Sequence, residues 1–246
     1  MKLSTWIPAA LAIALATTIG GRVIAATVAP YTEQFPTDAA QWLNGDSSGF
    51  GNFVPSGGPD GSSHISASLN TQAFGNGVSR VVFRGNSTTT PSIHASGDKF
   101  VGDWLGGGIN RFSAWVYHEA EVPLPFFARF ASVFGFPATA AINGTIVQPN
   151  TWTQLNFVIN PGQIGTTLFP ETDVPDENLS YFNQTFSNPG LGRIQIGFNV
   201  PASMANSPTS FVYRLDQVSV NTPEPATMLM IGIAAGVAVL RRRRRD

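Results

Sequence analysis

The clearest indication of the fold is an eight-residue stretch, Arg193-Ile194-Gln195-Ile196-Gly197-Phe198-Asn199-Val200. Its apolar side chains occupy every second position, which is the period of a strand with one buried face. The stretch from Arg111 to Tyr117 repeats the pattern, with Phe112, Ala114 and Val116 on one face. Both stretches therefore predict strands that lie over a hydrophobic core.

Working outward, similar alternation recurs at 65–69, 80–84, 155–159 and 211–220, with turn residues between the segments. No long segment combines helical spacing with helix caps. The sequence therefore predicts an all-β fold, an antiparallel two-sheet β-sandwich. In the last segment the apolar positions change phase near Asp216 or Gln217, which predicts a β-bulge that re-aims Asp216.

The stretch Phe126–Phe134 fits either a helix stripe or a strand, and the prolines and glycine around it favour a strand. Polar, turn-rich segments predict three loops, at Gly49–Ser63, Gly85–Asp98 and Gly162–Pro189. The last of these is acidic and long enough to form a lid or an Ω-like excursion.

Both ends of the chain predict export. Residues 1–26 combine Lys2, an apolar run and small residues at Ala25 and Ala26, which is typical of a cleaved signal peptide. Residues 27–222 follow as the predicted exported domain. Residues 223–246 have three parts, namely a Pro-Glu-Pro tripeptide, an apolar run over 226–240 and a basic block: Pro223, Glu224, Pro225; then Arg241, Arg242, Arg243, Arg244 and Arg245. A retained N-terminal anchor and an ordinary C-terminal tail anchor are the alternatives.

The apolar run predicts a transmembrane sorting helix that is too short to be a good permanent anchor. Its 15 residues give roughly 22 Å of helix, against a hydrocarbon core of roughly 30 Å. Five arginines do not cross a bilayer, so they hold the end of the chain on the cytoplasmic side of the inner membrane. The two prolines keep the tripeptide extended and accessible to a protease.

This tail resembles the PEP-CTERM sorting signal of bacterial exported proteins. The resemblance implies processing by exosortase, a membrane protease, with Pro223, Glu224 and Pro225 as the sorting motif and the arginines as the membrane stop. It further implies a Gram-negative host that makes exopolysaccharide, and a location at the cell surface or in an extracellular matrix or biofilm after removal of the tail.

Charge and cysteine content exclude several classes of protein. The whole chain has a net charge of −1, but residues 27–222 hold 13 acidic and 7 basic residues, a net charge of −6. The only arginine cluster in the sequence is the terminal block, so no nucleic-acid partner is expected. The chain has no cysteine, which excludes a disulfide scaffold and thiolate metal sites.

Four short motifs resemble the galactose-binding-like jelly rolls, including laminin-type and carbohydrate-binding modules: Glu33-Gln34-Phe35, Lys99–Trp104, Asn150–Gln154 and Leu215–Val220. In such jelly rolls a structural calcium often ties the first strand to the last. The resemblance implies Glu33 and Asp216 as the matching carboxylates, since calcium prefers oxygen ligands. Capping of the bulge and pairing with Arg214 are the alternatives for Asp216.

Exposed aromatic side chains would stack on sugar rings. Among Trp42, Trp104, Trp115 and Trp152, the glycine-flanked Trp104 is the predicted glycan-binding residue. Most of the others are expected in the core.

Catalysis is not predicted. Glu119 and Glu121 are two apart, but the further acid of the glycosidase signature is missing after them. The three histidines, His64, His94 and His118, lack zinc-ligand spacing.

The sequence therefore predicts a non-catalytic, exosortase-sorted surface or matrix protein that binds exopolysaccharide. The alternatives are a purely structural matrix protein without glycan recognition and a glycan-active hydrolase or lyase.

Overall fold

Strands with alternating side chains make up most of the structure, a computed structural model that describes residues 26–89, 92–132, 135–159, 166–169, 175–187 and 190–222. The strands are β1 (Tyr31–Glu33), β2 (Leu43–Asn44), β3 (Asn52–Val54), β4 (His64–Leu69), β5 (Ser79–Thr89), β6 (Ser92–His94), β7 (Arg111–His118), β8 (Leu124–Ser132), β9 (Gly135–Val147), β10 (Thr153–Val158), β11 (Thr166–Phe169), β12 (Leu191–Asn199) and β13 (Phe211–Asn221). One α-helix, α1 (Pro175–Phe186), lies between β11 and β12.

The strands form two antiparallel sheets. The six-stranded sheet has the order β10-β7-β13-β4-β3, with β1 paired to β13. The seven-stranded sheet has the order β11-β9-β8-β12-β5-β2, with β6 paired to β5. The chain is therefore all-β in two sheets, as the alternation predicts, and β12 confirms the strand predicted from Arg193 to Val200.

Aromatic side chains from both sheets and from α1 fill the core between the sheets. Trp104 packs against Phe112 of β7, Phe130 of β8 and Phe186 of α1, with ring centroids 6.3, 5.6 and 5.6 Å away. All four side chains are fully buried. Aromatic contacts at these separations add to the free energy of burial, so this cluster ties the helix to both sheets.

Close packing also fixes a glycine on β5. A Cβ atom at Gly85 would lie 2.8 Å from the ring of Trp42. Trp42 is fully buried, and its Nε1 donates to Ser96 Oγ at 2.9 Å. Only a residue without a side chain lets the indole ring lie this close to the strand.

Two predictions about irregular segments are confirmed. The stretch Phe126–Phe134 forms a strand through Ser132, because β8 covers Leu124–Ser132. The pairing of β13 with β7 shifts between Asp216 and Ser219, which is the predicted bulge. Gln217 takes up the extra residue with a φ of 46°.

The three predicted loops are wrong in part. The predicted loop Gly49–Ser63 contains β3, which pairs with β4. The predicted loop Gly85–Asp98 contains the end of β5, which continues through Thr89 and pairs with β6, because threonine favours extended strands. The segment Gly162–Pro189 contains β11 and α1. A proline followed by acidic residues is a helix-start signal in this sequence, and Phe182 and Phe186 are one turn apart and buried.

Candidate functional site

The outward face of the six-stranded sheet carries a row of aromatic side chains. On β7, Phe112, Ala114 and Val116 are buried in the core, so Trp115 and Tyr117 point the other way and are half-buried. Trp152, just before β10, is also half-buried. We call Trp115, Tyr117 and Trp152 the aromatic face.

Strand register places polar side chains beside these rings. Trp115 lies opposite Gln154 of β10 on one side and Asp216 of β13 on the other. Tyr117 lies opposite Arg214 of β13. The aromatic face is thus bordered by an amide on one strand and by a charged residue on another.

Tyr117 is held from three directions. The guanidinium of Arg214 lies 4.4 Å from the centre of its ring, which is a cation–π distance. The ring of Trp152 lies 5.6 Å away, and the Tyr117 hydroxyl donates to Asn150 Oδ1 at 3.1 Å. Arg214 is fixed in turn by an ion pair with Glu119, with Nη2 and Oε1 2.6 Å apart.

Trp152 closes over a buried histidine. Its Nε1 donates to the carbonyl oxygen of Gly57 at 3.0 Å, and its ring meets the ring of His64 edge-on at 5.5 Å. His64 is 2% exposed, and neither ring nitrogen has a hydrogen-bond partner. Burial, and then the charge of Arg214, lower the pKa of His64 to about 4, so the ring is neutral near pH 7.

Trp115 differs from Trp42, Trp104 and Trp152 in its hydrogen bonding. Trp42, Trp104 and Trp152 each donate their indole N–H to a protein oxygen. The indole N–H of Trp115 makes no hydrogen bond within the described part of the chain, and the ring lies between β10 and β13 on the outward face of β7. It therefore offers a free donor and a flat apolar surface in one side chain.

The expectation that Trp104 is exposed is wrong. Trp104 is fully buried, and its Nε1 donates to the carbonyl oxygen of Phe100 at 2.7 Å. Its aromatic neighbours come from segments far apart in the chain and outweigh the flexible glycines beside it. A ring enclosed in this way has no face open to a sugar.

The structure places Glu33 and Asp216 on two paired strands, β1 and β13. Glu33 lies opposite Val218, two residues beyond Asp216, and both carboxylates are buried. Glu33 accepts hydrogen bonds from the backbone N–H of Phe35 at 2.8 Å and from the hydroxyl of Tyr31 at 3.0 Å. The first strand is therefore paired with the last, and both carboxylates lie near that pairing.

Asp216 caps the bulge. Its Oδ1 accepts from the backbone N–H of Gln217 at 2.7 Å, and its Oδ2 accepts from Ser62 Oγ at 2.5 Å. Burial raises the pKa of Asp216 to about 6, the two hydrogen bonds oppose that rise, and the nearby charges of Asp60 and Glu33 add to it. No cationic side chain forms an ion pair with Asp216 in the described ranges.

Glu33 and Asp216 carry the hard oxygen donors that calcium prefers, and neither has an ion-pair partner among the described residues. A calcium ion takes about six to eight oxygen ligands. The described residues contain no group of three or more histidine or acidic side chains placed to hold a metal. Glu33 and Asp216 would supply only part of the oxygen ligands that calcium needs, and calcium bound by them stays a prediction.

The other candidate residues are dispersed. His94 pairs with Asp98 at 2.6 Å, and the buried His118 lies 3.0 Å from the carbonyl oxygen of Val147. Glu119 is bound to Arg214, and Glu121 is exposed at the end of the strand. Of His94, His118, Glu119 and Glu121, the described structure joins only Glu119 to the aromatic face, through Arg214.

The predicted signal peptide and sorting tail lie outside the described residues, apart from Ala26. Among the helices that the structure does describe, none has the length and apolar character needed to cross a membrane. The predicted sorting helix over 226–240 lies beyond that set.

Comparison with known proteins finds similarity to solved structures and to a sequence motif. One of these structures is that of the CBM22-1–GH10 modules of the N-terminal endo-1,4-β-D-xylanase 10B of Clostridium thermocellum, complexed with xylohexaose. It is 11% identical, with a TM-score of 0.43, over 80% of this chain and 29% of that chain. No curated protein matches the chain.

The motif lies at the C-terminal end of the chain. Residues 221–245 match the PEP-CTERM protein-sorting motif, which covers the predicted tripeptide, the apolar run and the arginine block. The chain therefore carries a PEP-CTERM sorting signal, which implies an exported protein that exosortase processes at its C-terminal end.

Proposed function

We propose that this chain is a non-catalytic protein of the cell surface or extracellular matrix whose β-sandwich binds exopolysaccharide through the aromatic face. The observation that carries the proposal is the position of Trp115, a half-buried indole with an unused N–H on the outward face of β7, between β10 and β13. Removal of the tail by exosortase, which the sorting motif implies, frees the domain to act outside the inner membrane.

The chemistry of the face suits a sugar chain. A pyranose ring presents C–H groups on its faces and hydroxyl groups around its rim, so it is recognised by flat aromatic surfaces bordered by hydrogen-bonding groups. Trp115 and Tyr117 supply the aromatic surfaces, and Gln154 and Arg214 border them. Aromatic side chains with polar tips also lose little conformational entropy on binding, which favours them at recognition sites.

The absence of catalysis belongs to the proposal, and the state of Glu119 supports it. A retaining glycosidase needs two carboxyl groups roughly 5 Å apart, one of them free to transfer a proton. Glu119 is instead held to Arg214 at 2.6 Å, and Glu121 is exposed. If the chain is a hydrolase or lyase, the host polysaccharide releases sugar on incubation, and Glu119→Gln or Glu121→Gln reduces that release.

The direct test measures binding of the full chain to exopolysaccharide purified from its own host. We expect saturable binding that Trp115→Ala weakens by about tenfold or more, as is usual for an anchoring aromatic side chain. Phe50→Ala is the matched control, because Phe50 is 54% exposed and lies away from this face. We expect that variant to bind as the unaltered chain does.

The outcomes separate the candidate functions. Loss of binding in Trp115→Ala alone supports recognition through the aromatic face. Unchanged binding in Trp115→Ala excludes this face as the site. Absence of any binding by the unaltered chain would favour the purely structural matrix protein.

A further inference from the structure

The outward face of the seven-stranded sheet collects three of the seven basic residues of 27–222. Arg84 on β5 and Arg129 on β8 both lie opposite Gln195 of β12, one on each side. Arg193 is two residues before Gln195 on the same strand and therefore on the same face. We call Arg84, Arg129 and Arg193 the arginine face.

This arrangement concentrates positive charge in a domain that is otherwise acidic. Adjacent strands are about 4.8 Å apart, so Arg84 and Arg129 leave the sheet about 10 Å from each other with Gln195 between them. The positive charges of Arg129 and Arg193 repel that of Arg84, while the negative charge of Asp46 attracts it. The described ion pairs are His94–Asp98 and Arg214–Glu119, so neither Arg84 nor Arg193 has an acidic partner among the described residues.

The side chains of Arg84 and Arg129 are held in place rather than extended into solvent. All three arginines are half-buried, and Gln195 is 6% exposed. Arg84 Nε donates to the carbonyl oxygen of Gly45 at 2.8 Å, which fixes the guanidinium while its terminal nitrogens make no further hydrogen bond in the described chain. The guanidinium of Arg129 lies 5.3 Å from the ring centre of Phe127.

We propose that the arginine face is a second binding site, which takes the carboxylate or sulfate groups of an anionic polysaccharide. Guanidinium groups form paired, charge-assisted hydrogen bonds with planar anions, and Arg84 and Arg193 are the two that have no acidic partner among the described residues. A bound anion would also offset the repulsion among the three arginines. Attraction to an anionic lipid surface relies instead on a diffuse cluster of basic side chains, and these half-buried forks favour a discrete anionic group over a membrane.

The site is independent of the aromatic face, because it lies on the other sheet. A chain with both sites would join a polysaccharide held by stacking to one held by charge. Failure of either site in an experiment therefore leaves the other untouched.

The test uses sodium polygalacturonate as the probe and its fully methyl-esterified form as the uncharged control. All proteins are full chains in a non-ionic detergent, with Arg241–Arg245 replaced by glutamine so that the terminal block does not bind the polymer. Affinity is measured by titration calorimetry at low and high salt. Arg111→Gln is the matched control, because it removes the same charge from an exposed arginine on the other sheet.

We expect binding to polygalacturonate at low salt, with none to the methyl ester. Arg84→Gln should weaken it by about tenfold, the usual loss for a charge-assisted hydrogen bond, and Arg84→Gln/Arg193→Gln by more. Arg111→Gln should change it by less than about twofold, and monomeric galacturonate should compete weakly. No binding, equal losses in Arg84→Gln and Arg111→Gln, or binding to phosphatidylglycerol vesicles without binding to the polymer would each overturn the proposal.

Discussion

The guanidinium of Arg214 lies over the ring of Tyr117, 4.4 Å from its centre, while the same group pairs with Glu119 at 2.6 Å. Arg214 and Tyr117 are directly opposite each other on β13 and β7. One cation therefore holds both an aromatic ring and a carboxylate on the outward face of the sheet.

Replacing Arg214 by methionine should lower the free energy of unfolding by about 1 kcal/mol, because it removes a cation–π contact and a partly exposed ion pair. The charge of Arg214 also lowers the pKa of His64, so the variant should raise that pKa. Urea denaturation and NMR titration of His64 measure the two effects. Arg111→Met is the control, and an equal loss of stability in that variant would contradict the role of Arg214.

Truncation of Trp104 should mainly lower stability, whereas truncation of Trp115 should mainly lower glycan binding. Trp104→Ala removes a fully buried ring from the core and should cost about 3–5 kcal/mol of stability. Trp115→Ala truncates a half-buried ring on the outward face and should cost about 1 kcal/mol or less while it reduces glycan binding. Thermal denaturation and glycan titration on both variants check this. Similar stability losses in the two would show that Trp115 serves mainly in packing.

Asp216→Asn should stabilise the metal-free protein near neutral pH. Burial raises the pKa of Asp216 to about 6 in the folded state, above its unfolded value of 3.8. The folded state therefore binds the proton of Asp216 more tightly than the unfolded state does. The contribution of this group to the free energy of unfolding is complete below pH 3.8 and is lost as the pH rises through 6. At pH 7.5 in EDTA, the asparagine variant should be more stable by on the order of 2 kcal/mol.

Calcium reverses the sign of that comparison. If Glu33 and Asp216 hold a calcium ion, added calcium should raise the melting temperature of the unaltered chain and leave Asp216→Asn unchanged. A melting temperature that is the same in EDTA and in calcium for both proteins would remove calcium from the account. Asp60→Asn, at an exposed acidic residue nearby, controls for the change in charge.

His64→Leu should protect the protein from acid. The pKa of His64 is about 4 in the folded state and 6.5 when the ring is free, so its contribution to stability is complete above pH 6.5 and is lost as the pH falls towards 4. At pH 5 the unaltered chain should have lost about 2 kcal/mol from this group. The variant lacks this loss, while Asp216 and the buried His118 are the same in both proteins.

The measurement is therefore the difference in free energy of unfolding between His64→Leu and the unaltered chain, at pH 7.5 and at pH 5. It should grow in favour of His64→Leu at the lower pH. A difference that does not change with pH would mean that water reaches the His64 ring in the folded state.

The alternation of apolar and polar residues predicted the strands themselves and the face on which each side chain lies. The inward and outward positions of β7 and β12 and the bulge at Gln217 follow from the order of apolar and polar residues. The pattern at 112, 114 and 116 also implies that Trp115 points outward. The sequence therefore held the signal for the aromatic face, although Trp104 was the residue predicted to bind glycan.

The remaining features depend on contacts that the order of residues does not show. Trp104 is buried because Phe112, Phe130 and Phe186 converge on it from three separate elements. The grouping of Arg84 and Arg129 on either side of Gln195 depends on the order of strands in the sheet. Neither the strand order nor the aromatic packing of α1 has a periodic signature in the sequence.

The most direct test of the account is intact-mass analysis with C-terminal peptide mapping of the protein recovered from the surface and medium of its host. We expect a chain that begins near Ala26 or Thr27 and ends near Pro223–Pro225, as export and processing at the sorting motif require. Extra mass at the new C-terminus would show attachment to another molecule. A mature chain that still carries Arg241–Arg245 would contradict exosortase processing, and the proposed role in the matrix would fall with it.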